Sequence, residues 1–262
     1  MSLAFRVDGA ETSPTLVLSN SLGTTWELWD AQLPALSQHF RVVRYDHPGH
    51  GRSDVPGGAL TVEALAQGVL ELLDRLELER ASFCGLSLGG AVGMELALGA
   101  PGRIDRLALC CTAASFGSPV GWHERAQLVR AEGTTAIADR VLERWFTDRF
   151  PSEHKDEVTR FRTMLTSISS EGYAACCEAI AGWDAGGGVH AIRTPTLVIS
   201  GEDDVAAPPA DGAFLAESIH GAELVVLPGA AHLANVEQPD LFDRALLGFL
   251  SAQVVAEAVT RE

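Results

Sequence analysis

The sequence predicts an α/β fold, in which a doubly wound and mostly parallel sheet carries helices on both faces. Three observations predict it. Short apolar runs rich in β-branched residues recur along the chain, and segments with helical periodicity alternate with them. One connection, between residues 111 and 195, is about 80 residues long and has helical patterns of its own. A connection of that length indicates a helical insertion rather than a loop.

Seven runs are expected to form the strands. Most of them are continuous apolar runs rather than alternating ones, as is typical of parallel strands that are covered on both faces. They are LAFRV (3–7), TLVLS (15–19), RVVRY (41–45), ASFCG (81–85), RLALCC (106–111), PTLVIS (195–200) and AELVVL (222–227).

The clearest helix among the intervening segments is TVEALAQGVLELLDRLEL, where Thr61 is placed to be the N-cap. Its apolar residues recur on one face. They are Val62, Leu65, Val69, Leu72, Leu73 and Leu76.

The long connection is predicted to form a helical cap, or lid, over residues 113–189. Helical patterns occur in WHERAQLVRAEG, AIADRVLERWFTDRF and EGYAACCEAIAGW, and the short AGGGV closes the insertion. Residues 1–112 and 190–262 then form the core domain.

Composition excludes several classes of function. The formal net charge is −16, from 35 acidic and 19 basic side chains, which disfavours nucleic acid and anionic membranes as partners. No signal peptide is visible, and the five cysteines include two adjacent pairs but no C-x-x-C. These features favour reduced thiols in a cytoplasmic protein, without a disulfide framework or a zinc site.

The strongest chemical signal is FCGLSLGG, in which Gly85, Ser87 and Gly89 form G-x-S-x-G. The motif follows a predicted strand directly and opens a helix-like run. Such a turn raises a serine hydroxyl above the carboxyl edge of the sheet, and glycines on either side allow the close backbone approach. Ser87 is therefore the predicted nucleophile.

A nucleophilic serine needs a base, and the base needs an orienting acid. In this architecture both follow the serine, on loops after late strands. The segment PTLVISGEDDVAAPP supplies Asp204, with Asp203 as a competitor that spacing does not exclude, and AELVVLPGAAHLANVEQP supplies His232. The predicted triad is Ser87, Asp204 and His232.

Together these motifs resemble those of the α/β-hydrolase superfamily, and more closely those of the 3-oxoadipate enol-lactonases. The resemblance covers nearly the whole chain, and it implies an α/β-hydrolase fold with a helical cap inserted after the sixth strand. The family's acid matches the fourth residue of GEDD, which favours Asp204. The segments that carry the resemblance are SNSLGTTWELWDAQLPAL, RVVRYDHPGHGRSDVP, FCGLSLGG, AIADRVLERWFT, EGYAACCEAI, GEDDVAAPPADG and AAHLANVEQP.

Two features depart from the pattern of this superfamily. Only one strand fits before TLVLS, so an N-terminal edge strand of many relatives is expected to be missing. The usual DxRGHG reads DHPGHG at residues 46–51. We interpret that loop as scaffolding, and His50 as a packed or turn-capping histidine rather than a catalytic one.

The segment SNSLG occupies the position where many superfamily members have a His-Gly pair. By that alignment the backbone N–H groups of Leu22 and Leu88 form the oxyanion hole. The Leu22 side chain is then a wall of the pocket, and Trp26 and Trp29 are expected to pack against helices.

The resemblance also implies a reaction that requires no metal or organic cofactor. Ser87 attacks the ring ester of an enol-lactone, and water releases 3-oxoadipate from the acyl-enzyme. This substrate is a small anion, which calls for nearby cations, and eight of the 19 basic side chains lie between residues 125 and 162. Arg125, with Trp122 one turn away and Trp145 as an apolar wall, is the predicted substrate-binding group. The alternative is ion pairing on helix surfaces, as for Arg144 with Asp148.

Other activities on the same fold compete with this interpretation. A general carboxylesterase, a carbon–carbon bond hydrolase and a cofactor-free haloperoxidase-like enzyme share the triad. Haloalkane dehalogenases and epoxide hydrolases usually have an aspartate in place of Ser87, which argues against both. A small-molecule receptor with slow or lost turnover is a further alternative, and an intact triad disfavours it. The sequence makes no prediction of the oligomeric state.

Overall fold

The computed structural model describes residues 2–260, and side chains as far as residue 251. A seven-stranded sheet in the order β1-β3-β2-β4-β5-β6-β7 forms its centre. β1 runs antiparallel to β3, and every other neighbouring pair is parallel. The mostly parallel sheet is therefore confirmed. The strands are β1 Phe5–Asp8, β2 Thr15–Ser19, β3 Arg41–Tyr45, β4 Ala81–Leu86, β5 Ile104–Cys110, β6 Thr196–Gly201 and β7 Glu223–Leu227.

Helices cover both faces of the sheet and fill the long insertion. α2 begins as predicted, because the Thr61 hydroxyl oxygen accepts the Ala64 N–H at 3.1 Å. The helices are α1 Leu33–Leu36, α2 Val62–Arg75, α3 Leu88–Gly99, α4 Pro119–Glu132, α5 Ala138–Trp145, α6 Phe150–Glu153, α7 Lys155–Thr166, α8 Ser170–Ala181, α9 Pro209–Ser218, α10 Ala234–Glu237 and α11 Pro239–Thr260.

The central strands are buried along their whole length, as their apolar runs predict. β7 differs, since Leu224 is 39% exposed and Val226 42% exposed. The expectation of cover on both faces is wrong for this strand. β7 is the last strand of the sheet, so an apolar run does not by itself distinguish a central strand from an edge strand.

The cap helices α4 to α8 lie between β5 and β6, within residues 113–189. The cap was expected after the sixth strand, but it follows the fifth. The family's count includes an N-terminal edge strand that many relatives have. Within the described residues a single strand, β1, precedes β2, so every later strand has a number that is lower by one. α4 packs along α8, and Arg130 of α4 binds both Glu171 and Glu178 of α8. The boundaries at residues 112/113 and 189/190 stay predictions.

The sheet places the carboxyl ends of β2, β4, β6 and β7 along one edge, with the cap above it. None of the helices within residues 2–260 is both long and apolar enough to cross a membrane. All five cysteines are unpaired and buried.

Candidate active site

Ser87 stands at the turn between β4 and α3 in a backbone conformation that L-residues rarely adopt, with φ 57° and ψ −112°. The neighbouring glycines explain how the turn is possible. A Cβ at Gly85 would lie 2.1 Å from the Gly89 carbonyl oxygen, and one at Gly89 would lie 2.4 Å from the Ser19 carbonyl oxygen. G-x-S-x-G is therefore a steric requirement of this turn.

His232 and Asp204 form a buried pair beside the same edge. Nδ1 of His232 donates to Oδ2 of Asp204 at 2.9 Å, while Oδ1 of Asp204 accepts the Ala206 and Ala207 N–H groups at 2.7 and 3.0 Å. Asp204 is 3% exposed, whereas Asp203 is exposed. Burial and the hydrogen bond to His232 distinguish Asp204 from Asp203, which spacing could not do.

This arrangement determines what the imidazole can do chemically. Because Nδ1 carries the proton that Asp204 accepts, Nε2 of the neutral ring is free to accept one. His232 and Ser87 line the same cavity. Among residues 2–251, no three His, Cys, Asp or Glu side chains come together as metal ligands.

The cavity lies between the core and the cap, where a small molecule can bind beside Ser87. Its core-side lining is Ser21, Leu22, Ser87, Ala206 and His232. Its cap-side lining includes Trp122, Arg125, Arg144, Trp145 and Tyr173. The structure thus brings all three predicted cap residues to the cavity that holds Ser87, and Leu22 forms part of the wall as predicted.

Two hydrogen bonds in the loop after β2 fix the orientation of the Leu22 N–H. The Ser21 carbonyl accepts the Thr24 N–H at 3.2 Å and the Thr24 hydroxyl at 2.8 Å. In a trans peptide the N–H and the C=O point in opposite directions, so the Leu22 N–H points away from Thr24. Neither Leu22 nor Leu88 donates its N–H to an acceptor among the described residues. Two free N–H groups beside Ser87 are what an oxyanion hole needs.

Two buried histidines of DHPGHG support this loop from behind. His50 donates from Nδ1 to the Pro48 carbonyl and accepts the Gly23 N–H on Nε2 at 3.1 Å. His47 donates from Nε2 to the Asn20 carbonyl at 2.9 Å. Burial lowers the pKa of His50 to about 3 and that of His47 to about 4, so both are neutral near pH 7. His50 is packed and hydrogen-bonded as expected, and its scaffolding role stays a prediction.

Trp26 and Trp29, which follow the loop after β2, are packing residues, as predicted. Trp29 is fully buried, and its indole N–H donates to the Asn20 side-chain oxygen at 2.9 Å. Trp26 is covered by the Arg52 guanidinium, 4.4 Å from its ring centre. Neither residue lines the cavity.

The cations of the cavity are Arg125 and Arg144. The Arg125 guanidinium lies 4.7 Å from the centre of a Trp122 ring, close to the hydroxyl of Tyr173. Arg144 donates to the Val205 carbonyl at 3.2 Å, and burial together with the charge of Arg125 lowers its pKa. The sequence reasoning missed Arg144 as a cavity residue, since helical spacing pointed to Asp148. That ion pair is absent from the described part of the chain.

Comparison with known proteins agrees with this geometry. A sequence profile described as alpha/beta hydrolase fold matches residues 14–239, most of the chain. The chain belongs to the α/β-hydrolase family. The 3-oxoadipate enol-lactonase 2 of Acinetobacter baylyi is 40% identical, over 94% of this hydrolase and 92% of that protein. The crystal structure of the enol-lactonase from Burkholderia xenovorans LB400 superposes with a TM-score of 0.93 at 46% identity, covering 95% of this hydrolase and 96% of that chain.

Relatives with another named activity also match this hydrolase. A protein of Agrobacterium fabrum with the provisional name carbamate hydrolase RutD is 33% identical, over 91% of this chain and 93% of that protein. The enol-lactonase relatives confirm the resemblance found in the sequence. This hydrolase is an ester-hydrolysing enzyme.

Proposed function

We propose that this hydrolase opens the ring ester of 3-oxoadipate enol-lactone and gives 3-oxoadipate, with Ser87 as the nucleophile. The observation that carries the proposal is the placement of two arginines in the cavity that also holds Ser87 and His232. A site for a neutral ester has no need of cations in its lining. The similarity to two enol-lactonases supports the same substrate.

In the first half of the reaction, Nε2 of His232 takes the proton of Ser87 as its oxygen attacks the lactone carbonyl. Asp204 holds the imidazole through Nδ1 and stabilises the imidazolium that forms. The N–H groups of Leu22 and Leu88 receive the developing oxyanion. As the ring opens, the imidazolium protonates the departing enol oxygen.

In the second half, water attacks the acyl-enzyme with His232 again as the base. Collapse of the second oxyanion releases Ser87 and the new carboxylate. The free enol then tautomerises to the ketone. His232 passes the proton of water to the departing Ser87 oxygen, and the acid product loses its own proton to solvent, so acylation and deacylation need no cofactor.

The substrate carboxylate is the group that we assign to the arginines. Arg125 and Arg144 supply positive charge inside a protein whose net charge is −16, while Trp122 and Trp145 provide apolar walls. Burial lowers the pKa of Arg144, and the charge of Arg125 lowers it further, as two cations close together should. An anion between them relieves that repulsion, which favours a negatively charged ligand.

A carbamate is the second candidate substrate, because relatives with that named activity match this chain along most of its length. A carbamate carbonyl can be attacked by the same serine. The test is to incubate the purified enzyme with 3-oxoadipate enol-lactone and, separately, with a small anionic carbamate. We expect 3-oxoadipate to form and the lactone to be preferred.

The matched control is Ser87→Ala, which should lower lactone turnover by several orders of magnitude, because a triad works as a unit. A thermal melt establishes that the variant is folded. If the enzyme prefers the carbamate, the proposed substrate is wrong and the carbamate takes its place. Turnover by Ser87→Ala above about a tenth of wild type would remove Ser87 from its proposed role.

A further inference from the structure

Four hydroxyl side chains lie close together at the end of β2 and in the loop that follows, and three of them have clear partners. The Ser19 and Tyr45 hydroxyls are hydrogen-bonded at 2.6 Å. The Thr24 hydroxyl donates to the Ser21 carbonyl, and the Thr25 hydroxyl donates to a Glu27 carboxylate oxygen. The exception is the hydroxyl of Ser21, which has no hydrogen-bond partner among the residues that the structure describes.

Ser21 is nevertheless 1% exposed, and it lines the cavity beside Ser87 and His232. Five side-chain polar atoms of the described residues are fully enclosed and have no partner, and the Ser21 oxygen is not one of them, so it keeps some accessible surface. Because Ser21 lines the cavity, this surface faces the cavity. A buried hydroxyl that makes no hydrogen bond is unfavourable for folding, so its retention suggests a partner that arrives with the substrate.

The position of the hydroxyl identifies which part of the substrate it can reach. Four covalent bonds join the Ser21 oxygen to the Leu22 nitrogen, so the two atoms are within about 5 Å of each other. The Leu22 N–H is one of the two proposed oxyanion donors. A carbonyl oxygen that accepts from Leu22 therefore lies within reach of the Ser21 hydroxyl as well.

We propose that the Ser21 hydroxyl is a third hydrogen-bond donor to the oxyanion, and hence a further catalytic residue. The inference rests on the proposed function only in placing the ester carbonyl at Leu22 and Leu88. The hydroxyl keeps its proton throughout and forms no covalent bond. Because the carbonyl oxygen gains negative charge in the transition state, the hydrogen bond is stronger there than with bound substrate.

The test compares Ser21→Ala with Ser19→Ala, which removes a hydroxyl two residues away on the same segment. Each variant is assayed with 3-oxoadipate enol-lactone and with a neutral aryl ester, and each is melted thermally. For Ser21→Ala we expect kcat to fall about tenfold to a hundredfold on both substrates, with little change in KM. Its melting temperature should stay the same or rise, because no hydrogen bond of the free protein is lost.

Ser19→Ala should behave in the opposite way. Its melting temperature should fall, because the buried Tyr45 hydroxyl loses its partner, while kcat should stay within about twofold of wild type. This crossed result separates a donor that acts on the transition state from a residue that only supports the loop.

Three outcomes would overturn the proposal. They are unchanged kcat in Ser21→Ala, a fall confined to the lactone, and a fall in kcat accompanied by a loss of melting temperature as large as that of Ser19→Ala. If the wild type hydrolyses the aryl ester but not the lactone, the proposed substrate fails. The ester arm would still decide the role of Ser21, because every ester presents the same carbonyl.

Discussion

Replacing Arg125 with methionine should weaken the reaction with the anionic lactone far more than the reaction with a neutral ester. Methionine keeps much of the apolar stem that packs beside Trp122 and removes the charge. The change therefore tests the cation itself rather than the shape of the cavity wall.

The expected magnitude follows from the surroundings of Arg125. A hydrogen bond to a charged group is worth about 1.5–3 kcal/mol, but Arg125 is half-buried and solvent screens part of its charge. Arg144 remains in the cavity and retains some of the attraction for the carboxylate. We therefore take the lower end of that range, about 1.5–2 kcal/mol, which corresponds to about a 10- to 30-fold loss in kcat/KM for the lactone.

The assay measures kcat/KM for both substrates at low and high salt, with Arg130→Met as the matched control. Arg130 is on the same helix, α4, but it binds Glu171 and Glu178 outside the cavity. The control should reduce stability slightly and leave the preference for the lactone unchanged. In Arg125→Met, the loss should fall on the lactone and the salt dependence of the lactone reaction should become weaker. Equal losses on the two substrates would show that Arg125 is structural.

Further predictions concern the acid, the oxyanion loop and the buried histidines. Asp204→Asn should reduce kcat severely and Asp203→Asn mildly, and the opposite ranking would mean that the assigned acid is wrong. Leu22→Ala should raise KM, whereas Leu22→Pro, which deletes an oxyanion donor, should lower kcat by about 10²–10³; near-normal kcat in a folded proline variant would place the donor elsewhere. Because burial lowers the pKa of His47 and His50 to about 4 and about 3, the unfolded chain binds more protons below pH 6.5. The free energy of unfolding should therefore fall by about 2 kcal/mol for each histidine between pH 7 and pH 5, measured by denaturant titration. Because burial raises the pKa of Asp243 to about 6 and so opposes part of this loss, the profile is compared with that of a His50→Gln variant; the same slope in both proteins would contradict the neutral, buried state of His50.

Much of the fold was predictable because the signals are local. Continuous apolar runs indicate strands of a parallel sheet, and glycines on both sides of Ser87 reflect contacts that leave no room for a Cβ. The N-cap at Thr61 is similarly a local matter. The exposure of β7 was not predictable, because whether a strand is at an edge depends on the order of the whole sheet.

The residues of the candidate site likewise differ in how far the sequence could predict them. Ser87 and His232 follow from the motif and from the order of strands. Asp204 and Asp203 are adjacent in sequence, so burial, rather than spacing, distinguishes them. Arg144 was missed because its partner, the Val205 carbonyl, is 61 residues away, while the helical spacing rule points to a nearer acid. The free hydroxyl of Ser21 likewise depends on which neighbours are already paired.

The most direct test of the central claim is the ratio of kcat/KM for 3-oxoadipate enol-lactone to kcat/KM for a neutral aryl ester, measured on the purified wild-type enzyme. Two arginines in the cavity predict that the lactone is the better substrate, by at least about tenfold, and that added salt lowers the ratio. A neutral ester hydrolysed as well as the lactone, or better, would contradict a site built for an anionic lactone.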